Sequence, residues 1–184
     1  MKPIRLMPAL LCTLALLVSA PAWAQKVRLA TSAGDIVVEL DAEKAPKSVA
    51  NFLQYVRAGH YDGTIFHRVI DNFMIQGGGY KADLVERPTR APIELEAGRG
   101  LSNVRGAIAM ARTSDPNSAT SQFFINVVDN PRLDTFGGGY AAFGRVVEGM
   151  EVVDKIRVVP TKAQGAQQNL PVMPVTIRKA TVEK

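Results

Sequence analysis

The chain has 184 residues, a formal net charge of +5, one cysteine and 47% hydrophobic residues. That length holds one domain with its own core and not two comfortable ones. The basic residues are scattered without a cluster, which argues against a nucleic-acid interface, and one cysteine with His60 and His67 as the only histidines offers no ligand set for a zinc site, so no metal is expected.

In chain order, Lys2 and Arg5 form a basic start, Leu10 to Val18 an apolar core, and Ala22-Trp23-Ala24 a small-x-small cleavage site. This reads as a secretory signal peptide, residues 1–24. The apolar run is shorter than the ~20 residues a membrane span needs, and Pro21 interrupts it, so no membrane attachment is expected after cleavage. Cys12 follows Leu11 inside the apolar core and reads as one more apolar residue, not a lipid attachment site. The remaining domain, 25–184, contains neither cysteine nor tryptophan, and losing Lys2 and Arg5 lowers its formal charge from +5 to +3. Its stability must come from burial, without a disulfide.

Val27, Leu29 and Thr31 alternate before Ser32-Ala33-Gly34-Asp35, and Ile36 to Leu40 follow, which predicts a hairpin with a four-residue turn. Pro46 suits a first helical position, and Val49, Phe52, Leu53 and Val56 repeat at helical spacing until Gly59. Short strands are then predicted at Thr64–Ile70, Met74–Gln76, Ile93–Leu95, Ala107–Ala111, Phe123–Val127, Ala142–Val147 and Val175–Val182, with a second short helix over Met150–Ile156. The triplet Gly77–Gly79 before Tyr80, echoed by Gly137–Gly139 before Tyr140, reads as turn glycines in two loops. Many short strands with two helices favour an all-β, antiparallel sheet that closes on itself.

Residues 66–79 read FHRVIDNFMIQGGG, and residues 121–126 read SQFFIN. Alternate side chains of a strand share a face, so Arg68 and Ile70 are predicted to point one way and His67 and Val69 the other, with Met74 and Gln76 together. One arginine, one amide and large apolar side chains make a half-polar pocket that suits a ring beside a carbonyl. The two segments resemble the signature regions of the cyclophilins, the peptidyl-prolyl cis/trans isomerases, and the resemblance runs from about Val27 to Val182.

The resemblance implies an eight-stranded antiparallel barrel capped by two α-helices, with a binding groove on its outer wall and no cofactor. It implies that Arg68 is the catalytic arginine, donating toward the prolyl nitrogen. Gln76 is assigned to the substrate carbonyl, and Gln122 to backbone groups or to orienting Arg68. Phe73, Met74, Phe124 and Leu133 match the proline pocket, while Ala111 and Arg112 match the segment whose backbone pairs with the substrate ahead of its proline. Arg112 stands where the family commonly has asparagine, the loop Thr113–Ala119 is one residue longer, Arg132 replaces a tryptophan that many members carry, and Tyr140, also at the substrate, replaces a histidine. The last two departures resemble the bacterial exported branch; with the expected signal peptide, the resemblance implies a monomer in the periplasm, acting on proline-containing unfolded or flexible polypeptides.

Other classes fare poorly. Ser121 lacks a nucleophile-elbow glycine pattern, and neither glycine triplet makes a phosphate or dinucleotide loop. His67 is expected to be a hydrogen-bonded structural histidine. A binding module that keeps the groove without useful catalysis is the rival reading, and Arg68 speaks against it, since a pure binder does not need that residue.

Overall fold

The computed structural model describes residues 25–183, so the expected leader lies outside the described residues. Alternating apolar side chains build the first hairpin: β1 (Lys26–Thr31) pairs antiparallel with β2 (Gly34–Leu40), from Lys26↔Glu39 to Thr31↔Gly34. The turn has two residues, Ser32 and Ala33, not four. The Thr31 hydroxyl donates to the Gly34 carbonyl at 2.6 Å and accepts from the Ala33 N–H at 3.0 Å, so the ladder persists through residues whose polarity suggested a loop.

Helix α1 (Pro46–Arg57) buries Val49, Phe52, Leu53 and Val56, and the Phe52 ring meets Tyr61, Phe123 and Phe143 at 5.1, 5.6 and 5.2 Å. Its N-cap, Ala45, offers no side-chain acceptor. The buried Glu96 carboxylate supplies one instead, accepting from the N–H groups of Lys47 (3.0 Å) and Ser48 (2.7 Å) and from the Ser48 hydroxyl (2.9 Å). A negative charge there also complements the helix dipole.

The remaining elements are β3 (Thr64–Ile70), β4 (Met74–Lys81), β5 (Ala107–Met110), β6 (Phe123–Asn126), β7 (Ala142–Glu148), α2 (Met150–Arg157), β8 (Thr161–Gln164), β9 (Gln167–Pro171) and β10 (Ile177–Val182). Eight strands form one antiparallel sheet in the order β10-β1-β2-β7-β5-β6-β4-β3. Its two edges meet through the bridge Ile65↔Thr176 and the bonds Gly63 N–H to Ile177 O and Phe66 N–H to Val175 O, which nearly closes a barrel. Inside lie Leu29, Ile36, Phe66, Val69, Ile75, Phe123, Ile125 and Phe143 with the buried faces of α1 and α2. A second apolar cluster, Met74, Ala107, Ala109, Phe124 and Ala142, lies apart from that core.

Three further features depart from the sequence reading. Ile93–Leu95 is not a strand: it makes one bridge, Ile93↔Ala119, and the Leu95 N–H donates to the Asn117 side chain at 3.0 Å, leaving no ladder. The small hairpin β8–β9 was not anticipated, because its residues are mostly polar and exposed. Gly77–Gly79 lie within β4 and not in a turn. Between Thr64↔Lys81 and Phe66↔Gly77 four steps of β4 oppose two of β3, so the glycines form a bulge.

Candidate active site

β3 and β4 pair Arg68 with Gln76 and Ile70 with Met74, and β4 pairs with β6 so that Gln76 lies opposite Phe124. This register brings the two signature segments onto one face. There, Arg68, Phe73, Met74, Gln76, Ala111, Arg112, Phe124, Leu133, Phe136 and Tyr140 surround a cavity of about 200 Å³. Nine of the ten residues expected at the site line this cavity, and Gln122 stands behind it.

The polar side is a chain of three groups. Arg68 Nη1 donates to Gln76 Oε1 at 3.2 Å, and Gln76 Nε2 donates to Gln122 Oε1 at 2.9 Å. Gln76 therefore holds Arg68 directly, and Gln122 acts through Gln76. An arginine carries five N–H donors and a glutamine amide two, so both residues at the cavity keep donors for a ligand. Room for Gln122 comes from Gly79, where an added Cβ would lie 2.7 Å from the Gln122 side chain.

The apolar side is assembled from four segments. Met74 and Phe124 come from paired strands and are nearly fully buried. Phe73 follows the Asp71-Asn72 turn, where Asn72 has φ 54°, a left-handed conformation that asparagine tolerates better than most residues. Leu133 and Tyr140 come from the connection between β6 and β7, with the Tyr140 ring edge-on to Phe124 at 5.9 Å. Phe136, 54% exposed, was missed in the sequence. Its one local signal is an aromatic residue directly before Gly137–Gly139.

A buried amide network, also unforeseen, ties these walls together. Asn130 Nδ2 donates to the Phe73 carbonyl and to Asn126 Oδ1, both at 2.8 Å. Asn126 Nδ2 donates to Asn103 Oδ1 at 3.2 Å, and Asn103 Nδ2 reaches Asp134 Oδ1 at 2.8 Å and the Tyr140 carbonyl at 3.1 Å. Partial burial alone would raise the pKa of Asp134, yet hydrogen bonds from Ser102 and Asn103 outweigh it and hold the carboxyl below its usual range.

Backbone groups matter at the open side. The Ala111 N–H is taken by the Gln122 carbonyl at 3.0 Å. Among the described residues, the Arg112 N–H and C=O have no hydrogen-bond partner, as a position that pairs with an added strand requires. The Arg112 side chain, in contrast, is engaged with the chain itself, and Arg132, outside the cavity lining, lies over the Phe136 ring at 5.4 Å.

His67 corrects one expectation. The register shift between Phe66 and Arg68 breaks the simple alternation, and His67 packs at 4.7 Å against Tyr80, beside Gln122 rather than cleanly opposite Arg68. Its Nδ1 has no hydrogen-bond partner among the described residues. Burial, reinforced by the Arg68 cation, lowers its pKa to about 4, while hydrogen bonding with the Ile65 backbone and Gln122 acts to raise it.

The site is a groove with apolar walls and a cationic rim on the wall of an antiparallel barrel, and comparison with known proteins gives the family. Residues 26–182 match the cyclophilin type peptidyl-prolyl cis-trans isomerase family. The chain is 51% identical to peptidyl-prolyl cis-trans isomerase A of Dickeya dadantii (strain 3937) over 98% of each chain, and 51% identical to peptidyl-prolyl cis-trans isomerase B of Escherichia coli (strain K12) over 84% of this chain and 97% of that one. The crystal structure of a Cryptosporidium parvum cyclophilin type isomerase superposes with a TM-score of 0.74 at 29% identity, over 88% of this chain and 99% of that one. The chain belongs to the cyclophilin-type peptidyl-prolyl cis-trans isomerases, enzymes that need no cofactor.

Proposed function

We propose that the chain is exported, loses residues 1–24, and works in the periplasm as a monomer that relieves slow X-Pro steps in the folding of unfolded or flexible polypeptides. Rotation about an X-Pro bond must overcome the amide resonance that makes the barrier ~18–20 kcal/mol for an ordinary peptide bond. The proline ring enters the cavity between Phe73, Met74, Phe124 and Leu133, where burial against apolar walls contributes on the order of 2 kcal/mol at ~25 cal/mol per Å². That fixes the ring without itself speeding rotation. Residues ahead of the proline pair with the free backbone groups of Arg112, and Gln76 donates to a substrate carbonyl.

Arg68 supplies the acceleration. A guanidinium directed at the prolyl nitrogen stabilises the twisted, pyramidal amide, whose nitrogen lone pair is localised, over either planar isomer. The observation that carries this reading is the chain Arg68–Gln76–Gln122 on the rim of an apolar cavity of about 200 Å³. A protease-coupled assay with a proline-containing peptide separates it from the binding-module reading: catalysed isomerisation is expected, and peptide binding without catalysis contradicts it. Export rests on the basic start, the short apolar core and the Ala22-Trp23-Ala24 site, and is supported by a family match that begins only at residue 26.

A further inference from the structure

The far wall of the cavity is built on three consecutive glycines, Gly137, Gly138 and Gly139, all with positive φ (61°, 93° and 94°). Glycine loses more conformational freedom on ordering than any other residue, so such a loop needs a tie to hold one shape. The Arg112 side chain provides it. Its Nε donates to the Gly139 carbonyl at 3.0 Å, and Nη2 reaches the carbonyls of Gly137 (2.7 Å), Gly139 (2.9 Å) and Phe136 (3.3 Å). Nη1 donates to the Thr113 carbonyl at 2.9 Å, and the guanidinium lies over the Tyr140 ring at 4.3 Å.

Among the described residues Arg112 has no carboxylate partner within ion-pair distance; its charge is spent on carbonyl oxygens, as charge-assisted bonds. With its donors turned to the loop, the group is poorly placed to bind a substrate anion. We propose that the Arg112 side chain is a positioning residue for substrate affinity, holding Phe136 and Tyr140 as a preformed wall of the groove. The inference rests on the isomerase reading of the same site. A wall ordered in advance spares the peptide the entropy of ordering it, so the effect falls on binding and not on the chemical step, which belongs to Arg68.

The test compares the mature protein with Arg112→Met, which keeps length and removes the donors, and Arg112→Lys, which restores a cation able to reach some of the carbonyls. Affinity for a short Ala-Pro-containing peptide is read by NMR titration, turnover by NMR exchange, and loop order by amide hydrogen exchange at Gly139 and Tyr140. Arg112→Met is expected to weaken binding about tenfold, leave kcat within about twofold and speed amide exchange at both positions, with Arg112→Lys between the two. Unchanged affinity in Arg112→Met, or a fall in kcat with affinity intact, overturns the proposal. If the unmodified protein binds the peptide without turning it over, the isomerase reading fails, while titration and exchange still decide the role of Arg112.

Discussion

At the scale of single residues, His67 makes acid sensitivity specific. Its imidazole is held neutral down to about pH 4 in the fold, against 6.5 for an unburied histidine. Between those values the unfolded chain binds the extra proton, so this contribution to stability is complete above about pH 6.5 and is lost as pH falls toward 4. The slope is at most ~1.4 kcal/mol per pH unit from this one group. His60, also lowered by burial, acts in the same direction. Urea unfolding at pH 7.5, 6 and 5 is expected to show falling stability, with a shallower fall in His67→Gln; an equally steep fall in that variant contradicts the assignment. Arg132 governs a second outcome. In cyclophilins that carry tryptophan at this position the indole donates to cyclosporin, a cyclic peptide that fills the proline groove; Arg132 can still donate and Phe136 keeps an aromatic face at the cavity mouth, so the disadvantage reduces to ordering a long, hydrated side chain and to a poorer hydrogen bond. These are together about 1–2 kcal/mol. Arg132→Trp is therefore expected to tighten cyclosporin binding about tenfold by titration calorimetry, and an unchanged affinity contradicts this.

At the scale of elements, α1 is held at its start by a residue far along the chain. Removing the buried Glu96 carboxylate leaves the Lys47 and Ser48 N–H groups without their acceptor. Glu96→Ala is expected to destabilise the protein by roughly 2–3 kcal/mol, the range for charge-assisted bonds and orphaned buried groups, read as a lower urea midpoint at constant slope; a loss below about 0.5 kcal/mol contradicts the cap. Such long-range contacts mark the limit of what the sequence makes legible. Arg68, Met74, Gln76 and Phe124 could be placed on one face because strand alternation and a recognisable pair of segments locate them. Asn103, Asn126 and Glu96 could not, since Asn103 and Asn126 are 23 residues apart and Glu96 and Ser48 are 48 apart, with no local pattern to announce them. Ile93–Leu95 misled for the converse reason: alternation suggests a strand, but a ladder needs a partner, and only Ala119 is paired there. Gly77–Gly79 misled because a strand bulge and a turn ask for the same residue.

At the scale of the whole molecule, the barrel is a frame that aligns β3, β4 and β6, so Arg68, Gln76 and Gln122, which directly precedes β6, meet within hydrogen-bond reach and the loop wall completes the groove. Export makes a separate molecular expectation. The only tryptophan is Trp23, so material cleaved after Ala24 is expected to fluoresce like tyrosine, and an intact mass retaining residues 1–24 contradicts cleavage. In the proposed mechanism Arg68, held by Gln76 at the edge of an apolar cavity, drives rotation. The direct measurement is isomerase kcat/KM for Arg68→Ala beside the unmodified protein, with circular dichroism on both. A fall of at least about tenfold, about 1.4 kcal/mol of barrier, is expected with an unaltered spectrum, and Arg68→Lys should recover only part, because an ammonium lacks the planar fork. Undiminished turnover in a correctly folded Arg68→Ala would contradict the mechanism.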